Sequence, residues 1–176
     1  MSTAPREQLL IQSLTDRNLR TAKQGRIRRR KQTYHRKTGG AVLEFKSAEI
    51  YKRSLIHEEY GGNRQSGISY PAKHYMVFIF TGFSGEEYGY NDRWENGYFL
   101  YYGEGQEGDM EFVRGNKAIR THREKGKSLH LFQKVRKGIV KYLGEMEYVD
   151  YFVEEGRDTE GNLRKVIVFK LKPKER

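Results

Sequence analysis

The chain has 176 residues, a formal net charge of +11, no cysteine, 13 tyrosines, nine phenylalanines and one tryptophan. That length suits one domain with an appended arm, and the aromatic content is too high for a disordered chain. The absence of cysteine excludes disulfides and thiolate metal sites, and no apolar run approaches the roughly 18 residues of a membrane span.

The positive charge is concentrated at one end. Residues 1–40 hold 11 Lys/Arg against Glu7 and Asp16, leaving 23 basic and 21 acidic residues for positions 41–176. This predicts a basic arm, 1–40, followed by a nearly neutral body, 41–176. Leu9, Leu10 and Leu14 recur near the helical period, so Arg6 to about Lys23 is expected to be helical before Gly25 breaks it. The block Arg28-Arg29-Arg30-Lys31 is suited to neutralising phosphates; equally, such a run serves as a solvated face. No apolar leader follows Met1, so the expectation is a soluble, cytoplasmic chain with an anionic partner.

From residue 41 the pattern turns to strands. Ala41–Phe45 is strand-like, and Ile50–His57 suits a short strand or helix. Residues 60–68 (YGGNRQSGI) form a glycine-punctuated loop. Tyr75–Thr81 is apolar at every alternate position on both faces and should be a central strand. Residues 82–97 read as a long loop, Tyr98–Tyr102 as a strand, and Arg114–Glu124 as a short helix. Strands are then expected over 129–134, 138–150, 151–155 and 164–172, with a turn at 158–162. The predicted class is α+β, mostly β: a twisted β-barrel with packed helices and an N-terminal basic helical arm.

Catalysis is hard to assemble from these residues. The five histidines form no zinc-type pair, and His130, inside an apolar strand, reads as a satisfied core histidine. Gly103-x-Gly105-x-x-Gly108 matches a dinucleotide-loop spacing, but Glu104, Glu107 and Asp109 would repel a pyrophosphate. No catalytic residue, metal site or cofactor is therefore predicted for this segment. One enzymatic alternative is a metal-dependent nuclease using Asp92, Glu95, Glu104 and Asp109. Binding is easier to build. Residues 88–102 (YGYNDRWENGYFLYY) gather aromatic rings around a carboxylate, with glycines that permit close approach of a ligand. Rings offer stacking faces to bases, and a carboxylate accepts the cytosine amino group. The residues also suit an ordinary half-buried strand with Asp92 capping a turn.

Several short strings, in order, carry a resemblance. They are Tyr60-Gly61-Gly62-x-Arg64-Gln65-x-Gly67-Ile68-Ser69, Tyr88-Gly89-Tyr90-x-Asp92, Phe99-Leu100-Tyr101-x-Gly103-Glu104-Gly105, Gly115-Asn116-x-Ala118-Ile119 and Leu129-His130-Leu131-Phe132. Together, over about residues 41–173, they resemble the SRA-like (YDG/SRA, PUA-like) domain of bacterial McrA-type HNH, modification-dependent restriction endonucleases. The resemblance implies a PUA-like barrel that binds double-stranded DNA carrying 5-methylcytosine or 5-hydroxymethylcytosine by base flipping. It implies a flipped-base pocket of Tyr90, Asp92 and Tyr101, with Trp94 beside it, and a duplex insertion loop of Arg64, Gln65 and Ser66. From charge alone, DNA-backbone contacts are expected from Arg28, Arg29, Arg30 and Lys31, and from Arg114, Lys117, Arg120 and Arg123, a group that equally suits an ordinary solvated helix face. The loop between Gly105 and Arg114 is shorter than in eukaryotic SRA domains. No segment resembles the HNH nuclease, so the chain is expected to be a stand-alone reader or the recognition part of a longer enzyme. An RNA-binding module of PUA type is the alternative within the same barrel class.

Overall fold

The computed structural model describes residues 43–82 and 91–175. The basic arm, Tyr90 and the expected helix at 6–23 lie outside the described residues. The elements are β1 (Ile50–Lys52), α1 (Arg53–Tyr60), β2 (Ile68–Ser69), β3 (Met76–Thr81), β4 (Arg93–Glu95) and β5 (Tyr98–Tyr102). They continue with α2 (Arg114–Arg120), β6 (Ser128–Arg136), β7 (Ile139–Arg157) and β8 (Leu163–Pro173). The class is α+β, mostly β, as expected.

The strands form one sheet in the order β2-β3-β6-β7-β8-β5-β4, with β1 added to β7. β3 and β6 run parallel and the other pairs antiparallel. Ile68 from one end of this order meets Phe99 from β5 in a single apolar cluster, so the sheet curls on itself around that core. A second cluster joins Phe78, Phe80, Phe132 and Tyr142 to Ile56 and Tyr60 of α1. β3 shows how sequence drives this division. Val77 and Ile79 enter the first cluster and Phe78 and Phe80 the second, so the period-2 alternation of a strand feeds both cores. Burial on both faces explains why its six residues are uninterrupted by charge.

Four expectations need correction. Leu43–Phe45 is not a strand; Phe45 instead packs edge-on against Tyr51, Phe78 and Phe132. The expected loop over 82–97 contains β4, whose three residues pair with Tyr98–Leu100 across the Asn96-Gly97 turn. Residues 139–157 form one strand of 19 residues instead of two. A register shift between Tyr148 and Asp150 leaves Val149 as an extra residue. A bulge of this kind keeps the ladder continuous while breaking the alternation from which a strand is recognised. The helix expected at 114–124 ends at Arg120 and continues as turns.

His130 is the satisfied core histidine the sequence suggests. Its Nδ1 lies 2.9 Å from the Tyr142 hydroxyl and its Nε2 2.8 Å from Ser128 Oγ. Burial pushes its pKa down to about 4, so the ring is neutral.

Candidate functional site

Asp92 precedes β4 and lies between the ends of two other strands. Its Oδ2 accepts the Thr81 hydroxyl at the end of β3 at 2.7 Å, and its Oδ1 accepts the Tyr102 N–H near the end of β5 at 2.8 Å. That peptide N–H immediately follows Tyr101, which places the acid beside the β5 backbone at that residue. Burial raises the Asp92 pKa to about 6 against the two hydrogen bonds, which lower it. At neutral pH the carboxylate is mostly ionised, and it keeps lone pairs for a further donor.

Tyr101 sits on β5 opposite Phe169 and is only 4% exposed, within the first cluster. Its ring is enclosed, so a base stacking on it has to displace what covers it. The hydroxyl lies beneath Gly67: a Cβ built there would stand 2.8 Å from that oxygen. Glycine is required at that position by close approach alone. Trp94, on the edge strand β4, is 51% exposed and meets Phe99 edge-on at 5.2 Å between centroids.

The loop from Gly61 to Gly67 returns the chain from α1 to β2. Arg64 and Gln65 are exposed at its tip. Asn63 Oδ1 accepts the N–H groups of Gln65 (2.8 Å) and Ser66 (3.0 Å), a local turn that projects both side chains. Ser66 is half-buried, and its hydroxyl donates to Glu104 Oε2 at 2.9 Å. Ser66 thus anchors the loop, leaving Arg64 and Gln65 as its projecting groups.

Glu104 has no place among the expected site residues except as a nuclease acid. It joins two surface segments: one carboxylate oxygen takes Ser66, and the other takes the Gly115 N–H of α2 at 2.7 Å. The Asn116 side chain returns the tie, accepting the Glu104 N–H and donating to the Glu104 carbonyl, each at 2.8 Å. A Cβ on Gly115 would stand 2.7 Å from Glu104 Oε1. The spacing Gly103-Glu104 to Gly115-Asn116 is visible in the sequence, but nothing local identifies the two pairs as partners.

The other acids of the nuclease alternative are dispersed. Glu95 pairs with Arg93 at 2.9 Å, and Asp109 Oδ1 accepts the Lys165 N–H at 2.7 Å. Among the described residues no group of three or more His, Cys, Asp or Glu comes together as a metal site. Of the basic residues expected to meet DNA, Arg114 and Lys117 are exposed and make no ion pair among the described residues. Arg120 stacks over Phe112 at 4.2 Å, and Arg123 pairs with Glu147 at 2.9 Å. Arg28, Arg29, Arg30, Lys31 and Tyr90 lie outside the described residues. A cavity of ≈ 750 Å³ opens against the second cluster, lined in part by Phe45, Tyr60, His130 and Tyr142. It includes none of Asp92, Trp94 or Tyr101. Among the described residues no helix is long and apolar enough to cross a membrane.

A comparison with curated proteins gives no match. A solved complex of the sulfur binding domain and SRA domain of ScoMcrA with phosphorothioated DNA is similar at 23% identity and a TM-score of 0.60. That match covers 74% of this chain and 40% of the other, so the chain spans well under half of that protein. The SRA domain of SUVH5 with hemimethylated CG DNA matches at 23% identity and a TM-score of 0.53, over 80% of this chain and 93% of the other. The modification-dependent restriction endonuclease AspBHI matches at 16% identity and a TM-score of 0.59, over 82% of this chain and 46% of the other. These likenesses show a shared fold. Residues 46–175 match the family described as "ScoMcrA-like, SRA domain". With that match extending over most of its length, the chain belongs to the ScoMcrA-like SRA domain family.

Proposed function

We propose that the chain binds double-stranded DNA carrying a modified cytosine, 5-methylcytosine or 5-hydroxymethylcytosine, by swinging the base out of the helix. It does so as the recognition module of a modification-dependent restriction system. The observation that carries this reading is the Asp92 carboxylate, held by Thr81 and by the peptide N–H next to Tyr101. An acid fixed in this way is preorganised to accept an exocyclic amino hydrogen, and the Tyr101 ring supplies a stacking face once the groups that cover it are displaced.

Extrusion costs a few kcal/mol in lost pairing and stacking. Stacking on an aromatic ring returns roughly 1–3 kcal/mol, with Tyr90 as the second ring of the sandwich. Arg64 or Gln65, projecting from the loop, fills the vacated space and hydrogen-bonds the orphan guanine. Ser66 holds that loop in place. Arg114 and Lys117 take phosphates, joined by the basic arm; Arg120 and Arg123 contribute less, because each already has a partner on the protein. Trp94 lies beside the pocket on β4. The chain supplies no catalytic group in this reading, and cleavage belongs to a linked HNH nuclease domain.

The similar structures support the reading through their partners, phosphorothioated DNA for ScoMcrA and hemimethylated DNA for SUVH5. The test is a binding panel in one duplex context: cytosine, 5-methylcytosine, 5-hydroxymethylcytosine, its glucosylated form and a phosphorothioate linkage. Tighter binding to a modified base, with fluorescence gain from 2-aminopurine at the flipped position, is expected. Equal affinity for every cytosine form overturns the reading, and stronger binding to structured RNA replaces it with the RNA-binding alternative.

A further inference from the structure

We infer that Arg53 and His57 form a clamp that fixes both ends of the 61–67 loop, making them positioning residues for its insertion into DNA. The inference rests on the reading of that loop as the segment that enters the duplex. Arg53 and His57 are four residues apart on α1, and so lie on one helix face. Arg53 Nε donates to His57 Nε2 at 3.2 Å. A guanidinium has no acceptor, so His57 Nε2 is unprotonated and the ring proton is on Nδ1. Nδ1 lies 2.9 Å from the Gly61 carbonyl and therefore donates to it. On the other side, Arg53 Nη2 donates to the Ser66 carbonyl at 2.5 Å. One continuous chain of hydrogen bonds thus runs from Gly61, where the loop leaves α1, to Ser66, where it turns into β2. The exposed residues Gly62 to Gln65 span the interval between the two clamped carbonyls.

The setting is costly enough to need a reason. Burial lowers the pKa of both Arg53 and His57, and Arg53 makes no ion pair with an acid among the described residues. Its charge is met by neutral partners: two hydrogen-bond acceptors and the face of Phe80, 3.8 Å from the guanidinium carbon. Phe80 in turn donates its N–H to the Gly67 carbonyl at 2.8 Å. An exposed surface loop with no task requires no such support. A loop that must arrive at the duplex already shaped gains from it, because ordering is then completed during folding instead of during binding.

The test uses the full chain and three duplexes. One carries 5-methylcytosine opposite guanine, one carries it opposite an abasic site, and one carries unmodified cytosine. Arg53→Lys keeps the charge but cannot reach both partners. It is expected to weaken binding to the guanine-paired duplex at least tenfold, and to change binding to the abasic duplex, which has no orphan base to satisfy, less than threefold. His57→Gln retains both a donor and an acceptor and should stay within threefold of the native chain on the paired duplex, whereas His57→Leu should lose tenfold. Amide exchange in the free protein gives a readout independent of DNA: Arg53→Lys should speed exchange at Gln65 and Ser66 tenfold while leaving β3 unchanged. Equal losses on both methylated duplexes, or no loss on either, overturn the clamp. A native chain with no preference for modified cytosine overturns the reading of the site, and with it the clamp's role.

Discussion

Thr81 and Asp92 are joined side chain to side chain at 2.7 Å, across a stretch of chain that leaves β3 and returns to the sheet at β4. The bond does two things at once. It satisfies a buried hydroxyl, and it fixes which way the Asp92 carboxylate faces, with its other oxygen on the Tyr102 N–H. Removing the acid therefore affects both the fold and the recognition chemistry.

Asp92→Ala leaves the Thr81 hydroxyl and the Tyr102 N–H without this acceptor, at about 1–3 kcal/mol for a buried group left unpaired. Asp92→Asn keeps one acceptor oxygen and should lose less. Both variants are expected to abolish the preference for modified cytosine while retaining salt-dependent background binding. Urea denaturation and the binding panel measure the two effects separately. An Asp92→Ala chain that still discriminates would remove the acid from the reading mechanism.

The same carboxyl has a pH signature. Its pKa rises from 3.8 to about 6 on burial, so the folded chain holds this proton more tightly than the unfolded one. The group's contribution to folding is most favourable below pH 3.8 and is lost as the pH rises through about 6. Recognition runs the opposite way, because only the ionised form is purely an acceptor. The affinity ratio for modified over unmodified duplex is expected to fall as the pH is lowered from 7 to 5, and to be flat in Asp92→Asn. Titrating both chains at constant ionic strength checks this.

Gly67 and Tyr101 offer a paired test. A methyl group at position 67 would stand 2.8 Å from the Tyr101 hydroxyl, so Gly67→Ala should cost about 1–3 kcal/mol as overpacking. Tyr101→Phe removes that oxygen and keeps the ring. The double variant should recover most of the loss, which a double-mutant cycle by thermal unfolding would show as strong coupling. Tyr101→Ala is a poor probe of stacking, since truncating a side chain this buried costs about 3–5 kcal/mol in stability alone.

The cations should separate by their existing partners. Arg114→Ala or Lys117→Ala is expected to reduce the slope of log affinity against log salt by about 0.9 each. The modified-to-unmodified ratio should not change, because phosphate contacts carry no sequence information. Arg123→Ala should change the slope less, as its guanidinium already pairs with Glu147. Filter binding across a salt series distinguishes these outcomes.

The local signals in the chain were strong where the structure depends on side-chain pattern. The run Tyr75–Thr81 declared a strand buried on both faces, Tyr98–Tyr102 a second strand, and the glycine punctuation of residues 60–68 a loop. The ordered motifs carried the family, and the acid at Asp92 stood out among aromatic rings. These features follow from short-range rules: alternation, glycine spacing and the chemistry of single residues. Only the folded chain revealed β4, the continuity of β7 through its bulge, and the partners of Asp92 and Glu104. Ser66 read as a residue for entering DNA, yet its hydroxyl is committed to Glu104, 38 positions away. Arg120 and Arg123 are expected at the DNA backbone, and the fold gives each an intramolecular companion, Phe112 and Glu147. Such pairings depend on which strand ends the curled sheet brings together, and a hydrogen bond between distant residues leaves no periodic trace in the chain that forms it.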